Sequence, residues 1–182
     1  MMTLEVISPP VAEPVSLAAA RQHLRVDHDD DDALIASLIR AAREEIERMS
    51  RHALVPQVLE LRMSAWPSSR VLRLPRPPLR AVQLVRYRAQ GELVEVDLMH
   101  TAITGHAASV VADWPRSVAL EEAGLRVRYE AGFDSPPDSL RQAMLLLIGH
   151  WYEHREGALQ GHISREVAFG VDSLTRDWRL RA

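Results

Sequence analysis

The sequence predicts an α+β fold: a small helical bundle of two long helices plus short ones, with an inserted, mostly antiparallel β-region and an extended C-terminal tail. Three observations predict it. Residues 135–156 read as a helix that is apolar on several sides, and residues 35–49 carry a second helical stripe. Between them, from 57 to 131, the apolar period shortens to two, the signature of strands with one buried face.

The core helix is SPPDSLRQAMLLLIGHWYEHRE, Ser135 to Glu156. Ser135 suits the N-cap, Pro136 the first helical position, and Asp138 completes an S-x-x-D pattern that places negative charge at the positive end of the helix dipole. Leu140, Met144, Leu147 and Trp151 form its stripe, widened by Ala143, Leu145, Leu146, Ile148 and Tyr152, and Gly157 offers a stop. A helix so apolar is contacted by more than one neighbour. The other long helix, 32–52, spaces Ile35, Ile39, Ala42, Ile46 and Met49 as 4-3-4-3, a narrow seam for another helix. Arg43, Glu44, Glu47 and Arg48 fall on its wet side.

The remaining elements follow in order. Pro9, Pro10 and Pro14 make residues 1–15 an extended N-terminal arm. Ser16 caps a short helix with Leu17, Ala20 and Leu24 on one face, and the acidic run 27–32 breaks it from the long helix. Leu59, Leu61 and Met63 alternate with Glu60 and Arg62 as a strand; Val71–Leu74 is a short one closed by PRPP. Residues 82–88 and 93–98 flank Ala89-Gln90-Gly91 as a hairpin. Weaker strand signals lie at 109–112 and 117–120, and the clearest at 125–130. In the tail, Gly161, His162 and Ser164 suggest a mobile loop and 166–170 an extended arm, before Asp172 or Ser173 caps a short last helix. The expected organisation is thus an arm (1–15), a helical core (16–54 and 134–156), an inserted β-subdomain (55–133) and a mobile tail with a short terminal helix (157–182).

Composition excludes several chemistries. An apolar content of 47% with 26% charged residues is that of a soluble globular chain. The net charge of −3 gives no general drive toward nucleic acid or anionic lipid. Without cysteine there is no thiol catalysis, disulfide or thiolate zinc site. MMTLEVISPP lacks the basic and apolar regions of a signal peptide, and no run is long enough to span a bilayer, so an intracellular product is expected. All 22 basic residues are arginine, the mark of a GC-rich coding genome more than of selected bidentate recognition.

Three features invite a chemical reading. His150, Glu153 and His154 fit H-x-x-E-H, in which two histidines one turn apart reach one zinc and the glutamate acts as base. The pattern fixes only three positions, and a third ligand would have to come from Glu156, Glu166, Asp172 or Asp177; histidine is also simply favourable at a helix C-terminus. The run Asp27–Asp32 offers carboxylates to a hard cation, but an EF-hand register from Asp27 puts Asp32 and Leu38 where glycine and glutamate belong. Started at Asp29, those positions hold Leu34 and Arg40. Helix capping accounts for the run more simply. Finally Phe169, Val171, Leu174, Arg176, Trp178, Arg179 and Arg181 combine aromatic, apolar and arginine side chains, suited to anchoring in a protein partner. Stacking on single-stranded nucleic acid would call for a wider basic patch.

PVSLAAARQHLRVDHDDDDALIASLIRAAREEIE, AGFDSPPDSLRQAMLLLIGHWYEHRE and the closing FGVDSLTRDWR resemble the head–tail connector (adaptor) proteins of tailed bacteriophages, prophages and gene transfer agents. The likeness spans nearly the whole chain and is strongest at its helical ends. It implies a non-enzymatic ring of roughly twelve copies beneath a portal protein, meeting a tail-side connector or stopper. Double-stranded DNA would pass through the centre without sequence-specific binding. It further implies that residues 169–181 reach the portal, that neither cofactor nor membrane is involved, and that the protein resides at the head–tail interface of a virion or phage-like particle, and in host cytoplasm before assembly. A metal-dependent hydrolase built on His150, Glu153 and His154 is the alternative from another class. A free-standing nucleic-acid-binding module comes third.

Overall fold

Separated stretches of chain assemble into two units in the computed structural model, which describes residues 1–97, 100–104, 107–121, 124–154 and 164–179. Met1–Val11 and Val55–Asp134 make a β unit; Ala12–Leu54 joins the stretch from Ser135 onward in a helical unit.

In the helical unit, α1 (Leu17–Leu24) starts as expected, with Ser16 Oγ accepting from the Ala19 N–H at 3.1 Å. The long helix α2 spans Asp32–Ser50, and Ile35, Ile39, Ala42 and Ile46 are buried as the seam requires. Its polar side differs from expectation. Arg43 and Glu47 are buried at 7% and 2% exposure, joined one turn apart at 3.2 Å. Arg43 also reaches Glu13 at 2.9 Å, and Glu47 accepts the Leu54 N–H, so the pair ties down chain on both sides of α2. The acidic run caps less than expected. Asp31 occupies the N-cap without a capping bond and instead accepts from the Tyr152 hydroxyl, while Asp32 pairs with Arg21 at 3.2 Å.

The core helix α3 covers Asp138–Glu153, starting two residues later than a Ser135 cap would give. A residue before proline is pushed out of the helical region, and the tandem Pro136-Pro137 does this twice; Pro137 itself sits at ψ 141°. Leu140, Ala143, Met144, Leu147 and Ile148 are fully buried, and α1, α2 and the next helix all pack on α3. That helix, α4 (Arg165–Thr175), replaces the expected extended arm and late cap: Ser164 caps it through the Val167 N–H, and a 3-10 turn follows at Arg176–Trp178. Gly157, Gly161 and His162 lie outside the described residues. Among the described residues no helix is long and apolar enough to cross a membrane.

The β unit contains a five-stranded antiparallel sheet ordered β1 (Met2–Ser8), β2 (Gln57–Met63), β8 (Leu125–Ala131), β4 (Leu79–Ala89), β5 (Glu92–Glu95). A second sheet runs β3 (Val71–Leu74), β7 (Ala107–Val111), β6 (His100–Thr104). Residues 2–8, read as part of an arm, are therefore an edge strand, because the prolines start only at Pro9. The 117–120 signal forms a turn, and 100–104 gains a strand. The hairpin is real: Gln90 and Gly91 both have positive φ, 52° and 80°, as a type I′ turn requires.

One face of the large sheet is core. Leu59, Leu61, Val127, Tyr129 and Val85 are almost completely buried, and the Tyr129 hydroxyl donates to Pro75 O at 2.7 Å, just beyond β3. Trp66 packs edge-on against Tyr87 with ring centres 5.0 Å apart, and donates its indole N–H to Val118 O. On the polar face Glu60 is 1% exposed, contrary to its reading as an outward residue. Arg128 and Arg62 each bond it at 2.7 Å, and Arg62 continues to Glu5 at 2.9 Å. Burial pushes the Glu60 carboxyl up, but the hydrogen bonds and charges of the two arginines outweigh it and hold the group below its usual range.

Candidate functional site

The C-terminal residues singled out by sequence divide into two sets on α4. Val167, Gly170, Val171, Leu174 and Thr175 follow the 3.6 period on the inner side, where Val171 and Thr175 are 2% and 0% exposed. A Cβ on Gly170 would stand 3.3 Å from Leu146 Cδ1, so glycine lets α4 lie close to α3. Trp178 also turns inward. Its indole N–H donates to Ser139 Oγ at 3.0 Å and its ring meets His52 edge-on at 6.0 Å. Leu174 and Trp178, read in the sequence as part of a mobile tail suited to a partner, are thus folded back onto their own unit, and both side chains are half-buried.

Phe169 is the exception. It stands 71% exposed on the outer side of α4, flanked one turn away by exposed Arg165 and Ser173. A phenylalanine left this open carries a large apolar payload that no described residue covers. Arg165 and Ser173 were missed in sequence because their i±4 relation to Phe169 exists only if the segment is helical. Among the arginines, Arg179 pairs with Asp172 at 2.8 Å and Arg176 lies 3.4 Å from the same carboxylate. Arg181 lies outside the described residues.

The H-x-x-E-H residues sit at the end of α3, where their geometry serves the helix terminus. The His150 and His154 rings lie 4.7 Å apart and tilted by 32°, and His154 Nδ1 donates to the His150 carbonyl at 3.1 Å. That bond leaves His154 one free ring nitrogen, and His150 is 9% exposed. Among the described residues no three histidine or carboxylate side chains converge as a metal site would need. The hydrolase reading finds no support here. Purified protein is expected to carry far less than stoichiometric zinc by elemental analysis. About one tightly bound zinc per chain, lost in His150→Ala/His154→Ala, would restore the metal reading.

The helical unit is thus closed around α3, with the aromatic side chain of Phe169 left on its outer side. Residues 14–87 match the family described as Phage gp6-like head-tail connector protein. Solved structures match over nearly the entire chain. A chain in the neck of an empty GTA particle, computed with C6 symmetry, is 25% identical with a TM-score of 0.78, covering 99% of this chain and 97% of that one. A chain in the virion of a native gene transfer agent particle is equally identical and equally covered, at 25%, with a TM-score of 0.79. The neck of the native GTA particle, computed with C12 symmetry, gives 0.73 at 25% identity and 100% and 97% coverage. Among curated proteins none matches. The resemblance to head–tail connectors of phages and gene transfer agents is borne out by family and by structure.

Proposed function

We propose that this protein is a structural adaptor of the head–tail interface, binding beneath a portal protein as a ring and presenting a platform for tail attachment around the DNA passage. The observation that carries this reading is the coverage: both units of the chain, together 99% of it, find counterparts in a GTA neck protein. Chains that recur around a symmetry axis use heterologous contacts, which close into a ring when the rotation between neighbours is right. The role is non-enzymatic. Its partners are the portal, a tail-side connector or stopper, and neighbouring copies, with double-stranded DNA passing unread. The experiment is complementation: DNA-filled heads lacking this protein acquire tails when it is added. Heads that join tails equally well without it would refute the adaptor.

Within that role the segment from Phe169 to Arg181 is the portal anchor, and α4 divides the labour. Phe169 supplies apolar area at about 25 cal/mol per Å², while Arg176 fixes register at the rim. Val171, Leu174 and Trp178 hold the helix to its own unit, or are released into the portal on docking. Phe169→Ala is expected to leave thermal melting unchanged and to lower head attachment about tenfold (about 1.4 kcal/mol) per contact, amplified by the ring's many copies. Attachment at wild-type efficiency would move the anchor elsewhere. Deletion from Val171 onward is a blunter test, since it strips buried Val171 and Thr175 from the helical unit.

A further inference from the structure

The polar face of the large sheet carries charge that the subunit does not neutralise. Pairing register sets Arg62 opposite Arg126, and Arg126 opposite Arg86, in one row across β2, β8 and β4. Thr3 extends the row beyond Arg62 and Glu95 beyond Arg86. With strands about 4.8 Å apart, three guanidinium stems rise from a strip about 10 Å wide. Like charges directly opposite one another destabilise a sheet. The adjoining row solves this internally, because Glu60 lies between Arg62 and Arg128 and binds both. Arg126 and Arg86 have no ion pair with any described residue, and Arg88 bonds only the Gly91 carbonyl, at 3.4 Å. Arg86 and Arg88 are exposed and Arg126 half-buried, so an anion arriving from outside can reach the row.

The complementary surplus lies in the turn before α2. Asp31 and Asp32 are engaged by Tyr152 and Arg21. Asp27 and Asp29 are exposed and meet no arginine among the described residues. Asp30, 89% exposed, has only His28 at 3.8 Å. Every copy therefore carries two unshared arginines, Arg126 and Arg86, in a row that Arg62 completes, and one unshared aspartate turn. A heterologous contact needs such a pair of different patches, each satisfied by the next copy.

We propose that the Arg62–Arg126–Arg86 row of one copy receives the Asp27–Asp30 turn of its neighbour. The inference rests on the ring reading above and names the contact between its members. Planar guanidinium groups donate to carboxylates two-pronged, a geometry that also sets orientation. Double-stranded DNA fits the row less well. Glu5, Glu60, Glu95, Glu130 and Asp134 lie on or beside this face, and a long polyanion crossing it would meet their field, whereas a short acidic turn touches the arginine strip alone.

The cysteine-free sequence makes the test clean. The full chain bearing Arg86→Cys and Asp29→Cys, incorporated into portal-bearing particles and oxidised, should give a ladder of linked copies; either single variant should give none. Separately, Arg86→Glu/Arg126→Glu should lower incorporation at least tenfold, as should Asp27→Arg/Asp29→Arg, and combining the two reversals should restore it. The aspartate variants' melting curves should match wild type, since those side chains are exposed; Arg86→Glu/Arg126→Glu relieves the repulsion at Arg62 but sets carboxylates opposite one another and opposite Glu95, so its incorporation is scored at a temperature where its own melting curve shows it folded. Wild-type incorporation without any ladder, or reversals that do not rescue each other, overturns the proposal. Reversal of the arginines that spares incorporation but changes DNA retention assigns the row to DNA and overturns it too. Failure of wild type itself to enter particles instead sinks the adaptor reading, and this inference with it.

Discussion

Gly132→Ala is expected to destabilise the β unit by about 4 kcal/mol, combining backbone strain with a steric clash. Gly132 has φ +131°, a region that side chains rarely adopt, and a Cβ there would fall 2.2 Å from the Val55 carbonyl oxygen and 2.7 Å from Pro56 N. Neither neighbour is a side-chain tip that can swing away; both are backbone just before β2. Gly91→Ala is the matched control. It too has positive φ, +80°, but nothing lies within 4 Å of the added carbon, so the cost should be only about 1 kcal/mol. Urea unfolding followed by the fluorescence of Trp66 and Trp114, both in the β unit, reads the difference. Equal losses at the two glycines would mean that strain alone, and not the close approach to Val55, decides.

Glu60→Ala should cost the same unit about 3 kcal/mol at neutral pH. Removing one member of a buried ion pair typically costs 3–5 kcal/mol, and the lower end applies because Arg62 and Arg128, 30% and 38% exposed, can turn their charges to water. The pH dependence has a definite sign. The folded carboxyl is held below its unfolded value, so its stabilisation is complete above the unfolded pKa, about 4.3, and is lost as pH falls through the lower folded value. Glu60→Gln should flatten that acid limb while leaving the neutral and alkaline limb parallel to wild type. An unchanged acid limb would show that Glu60 is not linked to acid unfolding.

Much of the architecture was legible because it depends on local periodicity. The 4-3-4-3 seam of α2 and the alternation at 125–130 each report one buried face, and both faces are buried. What periodicity cannot report is whether the polar face is wet. Glu60, Arg43 and Glu47 occupy polar positions yet are closed over by partners outside their own element, Arg128 for the first and Glu13 and Leu54 for the others. The tail was misread for a related reason. Gly170 lowers intrinsic helix propensity, but α4 is held by its packing on Leu146, and the small residue is what that packing needs. The docking candidates were visible as composition, whereas their division into held and exposed sets required the helix phase. Phe169 alone of the apolar ones emerged on the outer side.

The edge position of β1 has a consequence in time. Its partner strand begins at Gln57, so a growing chain that has just made Ser8 must add dozens of residues before β1 can pair, about 3–10 s at ordinary elongation rates. Through that interval Val6 and Ile7 await a neighbour while α1 and α2 emerge without α3 to cover their seam. The sheet gains its middle strand only with Leu125–Ala131, and the helical unit follows once Ser135 onward is free. A ribosome-bound chain halted far enough past Asp134 should therefore hold a finished sheet beside an open helical pair, the stage at which a chaperone would find most to hold.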